Sequence, residues 1–261
     1  MDSHNVSPAH LLWTGGWDST FQLLRLLLVH RRPVVPIYLV DERRPSLKIE
    51  QRTMTRIRER LAELHPHTRE LMRPTDFAPV ADIAPDPEVS AAYARLDARC
   101  RIGTQYEWLA RFCRQRGLSD VEIGFERERY GAGGLLLDLT VPGVSEGGGY
   151  RVHRLPPGHG DDDVDTVFGS YVFPLFDVTK QQMAREVDDR RWRPLMLETW
   201  FCHRPVRGRP CSRCHPCLNV ISAGLGWRIP RDRRVLGAMH RLTIGSLKSV
   251  ARPLVQRLRS S

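Results

Sequence analysis

Residues 10–30 read HLLWTGGWDSTFQLLRLLLVH, an apolar run, a glycine-rich turn and a helical stretch in direct succession. Residues 34–40 form a second apolar run, typical of a buried parallel strand. Helical spacing over residues 46–64 and 104–116 and another buried-type strand at 121–125 continue the alternation. This order predicts an α/β fold: a parallel twisted sheet with helices on both faces.

The glycine-rich turn is suited to binding phosphate. A turn from a strand into a helix presents backbone N–H groups at the positive end of the helix dipole. Gly15 and Gly16 let the backbone approach an anion closely, and Thr14, Ser19 and Thr20 add hydroxyl groups.

Asp18 is unexpected beside an anion unless it holds Mg²⁺ or caps the helix. The alternative is an ordinary strand-to-helix turn capped by Asp18 and Ser19. The turn lacks the lysine of the Walker A loop and the third glycine of the dinucleotide fingerprint, so neither of those nucleotide sites fits.

Four of the six cysteines lie close together in the sequence, with the spacing C-x8-C-x2-C-x2-C: Cys202, Cys211, Cys214 and Cys217. Four thiolates predict a tetrahedral Zn²⁺ site, structural because no coordination position stays open. An iron–sulfur cluster is the alternative, and His203 or His215 can replace a cysteine ligand. Cys100 and Cys113 are interpreted as small buried hydrophobic residues.

The turn resembles the PP-loop of the ATP pyrophosphatase superfamily, which reads Ser-Gly-Gly-x-Asp-Ser, with Thr14 in place of the first serine. Together with the cysteine spacing, it is similar to the 7-cyano-7-deazaguanine synthase family of queuosine biosynthesis. Pro174-Leu175 followed by Thr179-Lys180, and the Thr199–Cys202 stretch, are also similar to that family. The resemblance covers about residues 10–227 and is specific at its two ends.

The resemblance implies an adenine-nucleotide alpha-hydrolase-like fold and an ATP-dependent carbon–nitrogen ligase. A carboxylate substrate is adenylated and ammonia then gives an amide or nitrile, as in conversion of 7-carboxy-7-deazaguanine to 7-cyano-7-deazaguanine. ATP, Mg²⁺ and Zn²⁺ are the implied cofactors, and Asp18 and Lys180 the catalytic residues. The implied ATP-binding residues are Thr14, Gly15, Gly16, Trp17, Asp18, Ser19, Thr20, Val40 and Arg101.

Other functions remain open at this point. Residues 41–44 read Asp-Glu-Arg-Arg where the family has Asp-Tyr-Gly-Gln, so a paralogue acting on another carboxylate also fits. A tRNA-modifying PP-loop enzyme that adenylates or thiolates is a second possibility. A non-catalytic zinc-knuckle adaptor with an inactive loop is a third.

Residues 131–163, rich in Gly, Pro and Asp, are predicted to be a long loop with a hairpin at 150–155, followed by a strand at 166–173. A helix is predicted at 179–189, with Thr179 as its N-cap. The predicted domains are an ATP-binding domain at 1–227, containing the zinc knuckle at 202–217, and a basic amphipathic extension at 228–261.

The formal net charge of +10 is uneven, because residues 227–261 contribute +8. This tail is predicted to contact its own domain, a membrane surface or RNA, and the absence of aromatic residues beyond Trp227 argues against base stacking by the tail.

No apolar run is long enough to span a bilayer and no signal peptide is recognised, so a cytoplasmic location is predicted. The oligomeric state stays open, with a homodimer among the alternatives.

Overall fold

The computed structural model describes residues 7–125 and 131–241. The chain divides into two units by its internal packing. Unit 1 comprises Met1–Glu42 and Glu50–Thr199, and unit 2 comprises Arg43–Ile49 and Trp200–Ser261. The domain boundary placed at residue 227 from the sequence stays a prediction.

Unit 1 is built on a five-stranded sheet in which every pairing is parallel. The strands, in the spatial order β3-β2-β1-β4-β7, are β1 (Ala9–Leu12), β2 (Val34–Val40), β3 (Asp76–Pro79), β4 (Val121–Ile123) and β7 (Tyr171–Val172). Helices flank the sheet, so the predicted α/β class is confirmed.

The helices of unit 1 connect the strands in the alternating order that parallel pairing requires. They are α1 (Trp17–Leu24, continued by a π-helical turn Arg25–Val29), α2 (Leu47–Leu64, whose first three residues belong to unit 2), α3 (Thr68–Leu71), α4 (Pro87–Cys100), α5 (Gln105–Arg116), α6 (Gly131–Leu136), α7 (Asp162–Phe168), α8 (Lys180–Asp189) and α9 (Arg193–Met196). The helices predicted at 46–64, 104–116 and 179–189 are confirmed to within one residue. The first helix begins earlier than its apolar stretch, inside the glycine-rich turn.

The region predicted as a loop differs from the prediction. It contains α6 and an antiparallel hairpin of β5 (Val141–Val144) and β6 (Arg151–Arg154), which is longer than the one predicted at 150–155. The strand predicted at 166–173 is wrong in its first half, which belongs to α7. Asp161 caps that helix by accepting a hydrogen bond from the Val164 N–H at 3.1 Å, and this contact favours helix over strand.

The direction in which strands are added to the sheet reverses between β1 and β4. The chain runs outward from β1 through β2 to β3, then returns to add β4 and β7 on the other side of β1. In open parallel sheets, ligands bind outside the carboxyl ends of the strands at such a reversal. The glycine-rich turn follows β1 directly and therefore lies at this position.

A buried polar network holds α1 against β4. Glu122 of β4 is 1% exposed and accepts hydrogen bonds from Gln22 Nε2 at 2.7 Å and from the Tyr150 hydroxyl. The guanidinium of Arg32 lies 3.7 Å from the same carboxylate and donates to the Tyr150 hydroxyl at 2.8 Å. Burial raises the pKa of Glu122, while these donors and the Arg32 charge oppose that rise. The network fixes the helix that carries the glycine-rich turn.

Unit 2 contains the cysteine segment and the short helices after it. The helices are α10 (His215–Val220), a π-helical turn (Ile221–Leu225), a 3₁₀ turn (Gly226–Arg228) and a helix at 231–241. Its core contains Cys202, Cys211, Cys217 and Ile229. The part of the predicted tail beyond residue 241 lies outside the described residues.

Within residues 7–125 and 131–241, no helix has both the length and the apolar character needed to cross a bilayer.

Candidate functional site

The glycine-rich turn forms the first turn of α1. Gly16 is the N-cap residue of this helix, and no side chain caps it. The alternative in which Asp18 caps the helix is therefore wrong. Gly15 has a positive φ of 69°, which favours glycine, and an added Cβ would lie 3.1 Å from both Met54 Cγ and Thr53 Cγ2.

The hydroxyl groups of the turn stabilise its shape. The Thr14 N–H donates to Ser19 Oγ and the Gly16 N–H to Thr14 Oγ1, each at 3.4 Å. Thr20 is fully buried, and its Oγ1 accepts a hydrogen bond from Trp13 Nε1 at 3.0 Å. Thr14 is exposed, whereas the hydroxyl of Thr20 faces the core. Of the two, Thr14 is the one placed to meet a ligand.

The two predicted catalytic residues, 162 positions apart in the sequence, are brought together. Lys180 Nζ donates a hydrogen bond to the carboxylate of Asp18, which lies in the first turn of α1. Lys180 is the first residue of α8, and Thr179 caps that helix in a capping box with Gln182, as predicted. The side chains of Lys180 and Asp18 are 43% and 30% exposed, so the pair faces solvent at the carboxyl edge of the sheet.

For Val40 and Arg101, two of the predicted ATP-binding residues, the structure gives a position in the fold but no hydrogen bond or ion pair with the glycine-rich turn among the described residues. Val40 ends β2 and is half-buried, beside Pro79 of β3. Arg101 follows α4 with a φ of 50° and is exposed. Among the described residues, no hydrogen bond or ion pair joins the Arg101 side chain to residues 14–20, so its role in binding ATP stays a prediction.

Gly124 is a site residue that the sequence analysis missed. A Cβ on Gly124 would lie 2.8 Å from the backbone nitrogen of Ser19 and 3.0 Å from the carbonyl carbon of Asp18. The segment after β4 therefore packs directly on the glycine-rich turn, and only a residue without a side chain allows this approach. The available signal was one glycine after a buried strand, which also marks many bulges and turns.

We expect Gly124→Ala to lower the free energy of unfolding by about 1–3 kcal/mol, because the added methyl group displaces the backbone of the turn. Urea denaturation measures the change. Gly143→Ala is the matched control, since its Cβ would meet Arg154 Nε at an ordinary 3.6 Å, and we expect a change below about 1 kcal/mol. Equal effects of the two substitutions would contradict the close packing assigned to Gly124.

The four predicted metal ligands converge in unit 2. All the Sγ atoms of Cys202, Cys211, Cys214 and Cys217 lie within 4.8 Å of one another. The measured Sγ–Sγ distances include 3.5 Å for Cys214–Cys217 and 3.9 Å for Cys211–Cys217 and Cys202–Cys214. A tetrahedron with Zn–S bonds of about 2.3 Å has edges of about 3.8 Å, so the cysteines fit a four-coordinate metal ion.

Backbone N–H groups support the sulfur atoms. Cys211 Sγ accepts from the N–H groups of Arg213 at 3.4 Å and Cys214 at 3.3 Å, and Cys202 Sγ accepts from the Cys211 N–H at 3.2 Å. Ser212 has a φ of 62°, which turns the chain so that these donors point inward. Such bonds stabilise thiolate charge and fix the orientation of metal ligands.

The cysteine cluster favours a thiolate even without a metal ion. A hydrogen bond from Cys217 lowers the pKa of Cys202, and the same bond raises the pKa of Cys217. Burial raises the pKa of Cys214. A divalent cation would replace the shared protons and satisfy all four sulfurs.

No protein-family profile matches the chain, and no curated protein matches it significantly. The similarity to the 7-cyano-7-deazaguanine synthase family therefore remains a prediction from the motifs.

Proposed function

We propose that this protein is an ATP-dependent ligase of the PP-loop type, with an adenine-nucleotide alpha-hydrolase-like fold, that activates a carboxylate and joins it to ammonia. The observation that carries the proposal is the contact of Lys180 with Asp18 in the first helical turn after Gly15 and Gly16. This contact places a cation beside the glycine-rich turn. The turn follows the carboxyl end of β1, where the strand order of the sheet reverses.

The first step is transfer of AMP to the substrate. A carboxylate oxygen attacks the α-phosphorus of ATP, the bond to the bridging oxygen breaks, and pyrophosphate leaves with the electron pair. Backbone N–H groups of Gly15, Asp18 and Ser19 hold the departing pyrophosphate, and Lys180 neutralises the charge that develops on it. Asp18 orients the side chain of Lys180 at the N-terminus of α1.

The second step forms the carbon–nitrogen bond. Ammonia attacks the carbonyl carbon of the acyl-adenylate, the bond from that carbon to the AMP oxygen breaks, and AMP leaves with the electron pair and one proton is released. The product is an amide. In the family that the motifs resemble, a second adenylation dehydrates the amide to a nitrile, and 7-carboxy-7-deazaguanine is the corresponding substrate.

Mg²⁺ and Zn²⁺ would be bound by different groups. Among the described residues, the convergent group of potential metal ligands is the cysteine cluster. Mg²⁺ would accordingly be held mainly by the phosphate oxygens of ATP, with Asp18 as the nearest carboxylate of the turn. Zn²⁺ would be held by the four cysteines and would be structural, because they leave no open position.

Carboxylate-dependent exchange of labelled pyrophosphate into ATP tests the proposal without requiring ammonia. We expect exchange with Mg²⁺ and one member of a carboxylate panel beginning with 7-carboxy-7-deazaguanine. Exchange with another carboxylate supports a paralogue of different substrate. No exchange across the panel, combined with no ATP binding by calorimetry, would contradict the proposal and favour the non-catalytic alternative.

A further inference from the structure

The charges of the chain are segregated between the two units. Unit 2 carries sixteen of the forty lysines and arginines but only one acid, Asp232. Unit 1 carries the remaining twenty-four basic residues and twenty-nine acids. The formal charges are +15 and −5, so unit 2 is strongly basic and unit 1 is slightly acidic. Even with four thiolates around a divalent ion, unit 2 keeps a large positive charge, which attracts polyanions.

The cysteine segment presents several of these arginines to solvent. The N–H group of Arg213 donates to Cys211 Sγ, and Arg204 lies two residues after Cys202, while both arginine side chains are exposed. The metal site thus fixes the backbone from which these guanidinium groups project. Positioning cations on a rigid backbone lowers the entropy cost of binding an anion.

A tight turn adds another exposed arginine between the cysteines. Val206 and Arg209 pair as an antiparallel bridge, and Arg207 and Gly208 between them have φ values of 51° and 73°. Arg207 lies at the tip of this turn and is exposed. Arg209 instead pairs with Asp232 at 2.9 Å, the one acid of the unit.

Aromatic side chains accompany the basic surface. The side chains of Trp200 and Phe201 stack with ring centroids 6.1 Å apart, and the guanidinium of Arg228 lies 5.1 Å from the Phe201 ring centroid. Trp227 is 56% exposed. An exposed indole provides a flat surface on which an unpaired base can stack, and Arg228 follows Trp227 directly in the chain.

We infer that unit 2 binds single-stranded nucleic acid, with Arg204, Arg207 and Arg213 on the phosphates and Trp227 against a base. Fourteen of the sixteen basic residues of unit 2 are arginines, and each planar guanidinium group can donate two hydrogen bonds to one phosphate. This binding activity is separate from the proposed ligase reaction and does not depend on it.

An anionic bilayer is the competing partner, because the helix at 231–241 exposes Val235, Leu236 and Met239. A helix lying on a membrane needs basic side chains beside its apolar face. Here, however, Arg233 donates to the Val206 carbonyl at 3.3 Å and Arg241 to the Ser212 carbonyl at 3.1 Å. These two arginines donate to backbone carbonyls of unit 2, and the other exposed arginine of the helix is Arg231. The cysteine segment exposes more: Arg204, Arg207 and Arg213. Most of the exposed positive charge therefore lies away from the apolar face of the helix, which favours nucleic acid.

Fluorescence anisotropy with labelled oligonucleotides of about 16 nucleotides, the upper site size of one single-strand-binding domain, tests the inference on the full-length chain. The probes are single-stranded RNA, single-stranded DNA and the RNA duplex, each titrated at several salt concentrations. We expect tighter binding of the single strands than of the duplex. The difference in affinity between single-stranded RNA and single-stranded DNA identifies which of the two the protein prefers.

The triple variant Arg204→Gln, Arg207→Gln, Arg213→Gln keeps the backbone donors to sulfur and removes three charges. Because each lost phosphate contact on a single strand reduces the slope of log K against log salt by about 0.7, we expect a reduction of about 2. The matched control replaces three exposed arginines of unit 1, Arg52, Arg69 and Arg116, by Gln, and we expect an unchanged slope. Metal content and the thermal transition of both variants establish that they are folded.

Trp227→Ala separates stacking from charge. We expect it to weaken binding of the single strands about tenfold and to leave binding of the duplex unchanged. The inference is overturned if the wild-type chain binds none of the probes at low salt, or if the control triple variant loses as much slope as the unit 2 variant. Binding to phosphatidylglycerol vesicles but not to the oligonucleotides would also overturn it, in favour of a membrane surface.

Discussion

Replacing Lys180 by Met is expected to lower carboxylate-dependent ATP–pyrophosphate exchange by about 10²–10³-fold, the cost of removing one group that stabilises transition-state charge. Methionine keeps the length and most of the volume of the side chain, so the loss is one of charge. The stability of the fold should change little, since the Lys180–Asp18 pair is 43% and 30% exposed. Exposed ion pairs contribute only about 0–1 kcal/mol.

This combination of effects separates a functional pair from a structural one. A lysine that only joins two helices at the surface would change neither rate nor stability when it is removed.

Asp18→Ala should also abolish AMP formation with the fold intact, because Asp18 holds the lysine against the turn. Arg95→Met is the control: it breaks the exposed pair with Asp163 at 2.6 Å, and exchange should stay at the wild-type rate. Unchanged exchange in both Lys180→Met and Asp18→Ala would remove the pair from the site.

The parts of the structure that the sequence predicted are those specified by local signals. The turn between β1 and α1 combines a buried run, two glycines and a helical stretch within about twenty residues. The helices α2 and α5 follow from the spacing of their apolar residues, and the cysteine cluster from the spacing of its ligands. None of these depends on a distant part of the chain.

The error at residues 166–173 shows where local reasoning fails. Residues 162–168 read DDVDTVF, in which valine, threonine and phenylalanine favour a strand. In the structure, Arg99 pairs with Asp161 at 2.8 Å and Arg95 with Asp163 at 2.6 Å, which fixes the first turn of α7 against α4. Those partners lie more than sixty residues away, so the strand propensity gave no sign of them.

Only part of the candidate site could be predicted from the sequence. Residues 14–20 could be chosen from the motif, but the approach of Gly124 to Ser19 joins segments about a hundred residues apart. The charge pattern was also incomplete, because the excess was assigned to residues 227–261. Unit 2 shows that it begins at Trp200 and includes Arg43–Ile49, a segment that no composition window would group with it.

Replacing Cys214 by Ser is expected to release the metal ion and to unfold unit 2 locally. Removal of a ligand should lower metal affinity by more than the about 10–100-fold that loss of a supporting hydrogen bond costs. Because the core of unit 2 is small and includes three of the cysteines, metal binding supplies much of its folding free energy. Amide exchange should therefore quicken across residues 200–241 and stay slow in the strands of unit 1.

Elemental analysis and hydrogen-exchange mass spectrometry measure the two effects. Serine is nearly the size of cysteine, and Cys214 is only partly buried, so lost packing does not account for unfolding. Cys100→Ser is the matched control: it replaces a half-buried cysteine of α4 outside the cluster and should keep both the metal and the exchange pattern. Full metal content and unchanged protection in Cys214→Ser would contradict the ligand assignment. Iron with a brown colour in the wild-type protein would contradict zinc while leaving the four cysteines as ligands, because an iron–sulfur cluster uses the same thiolates.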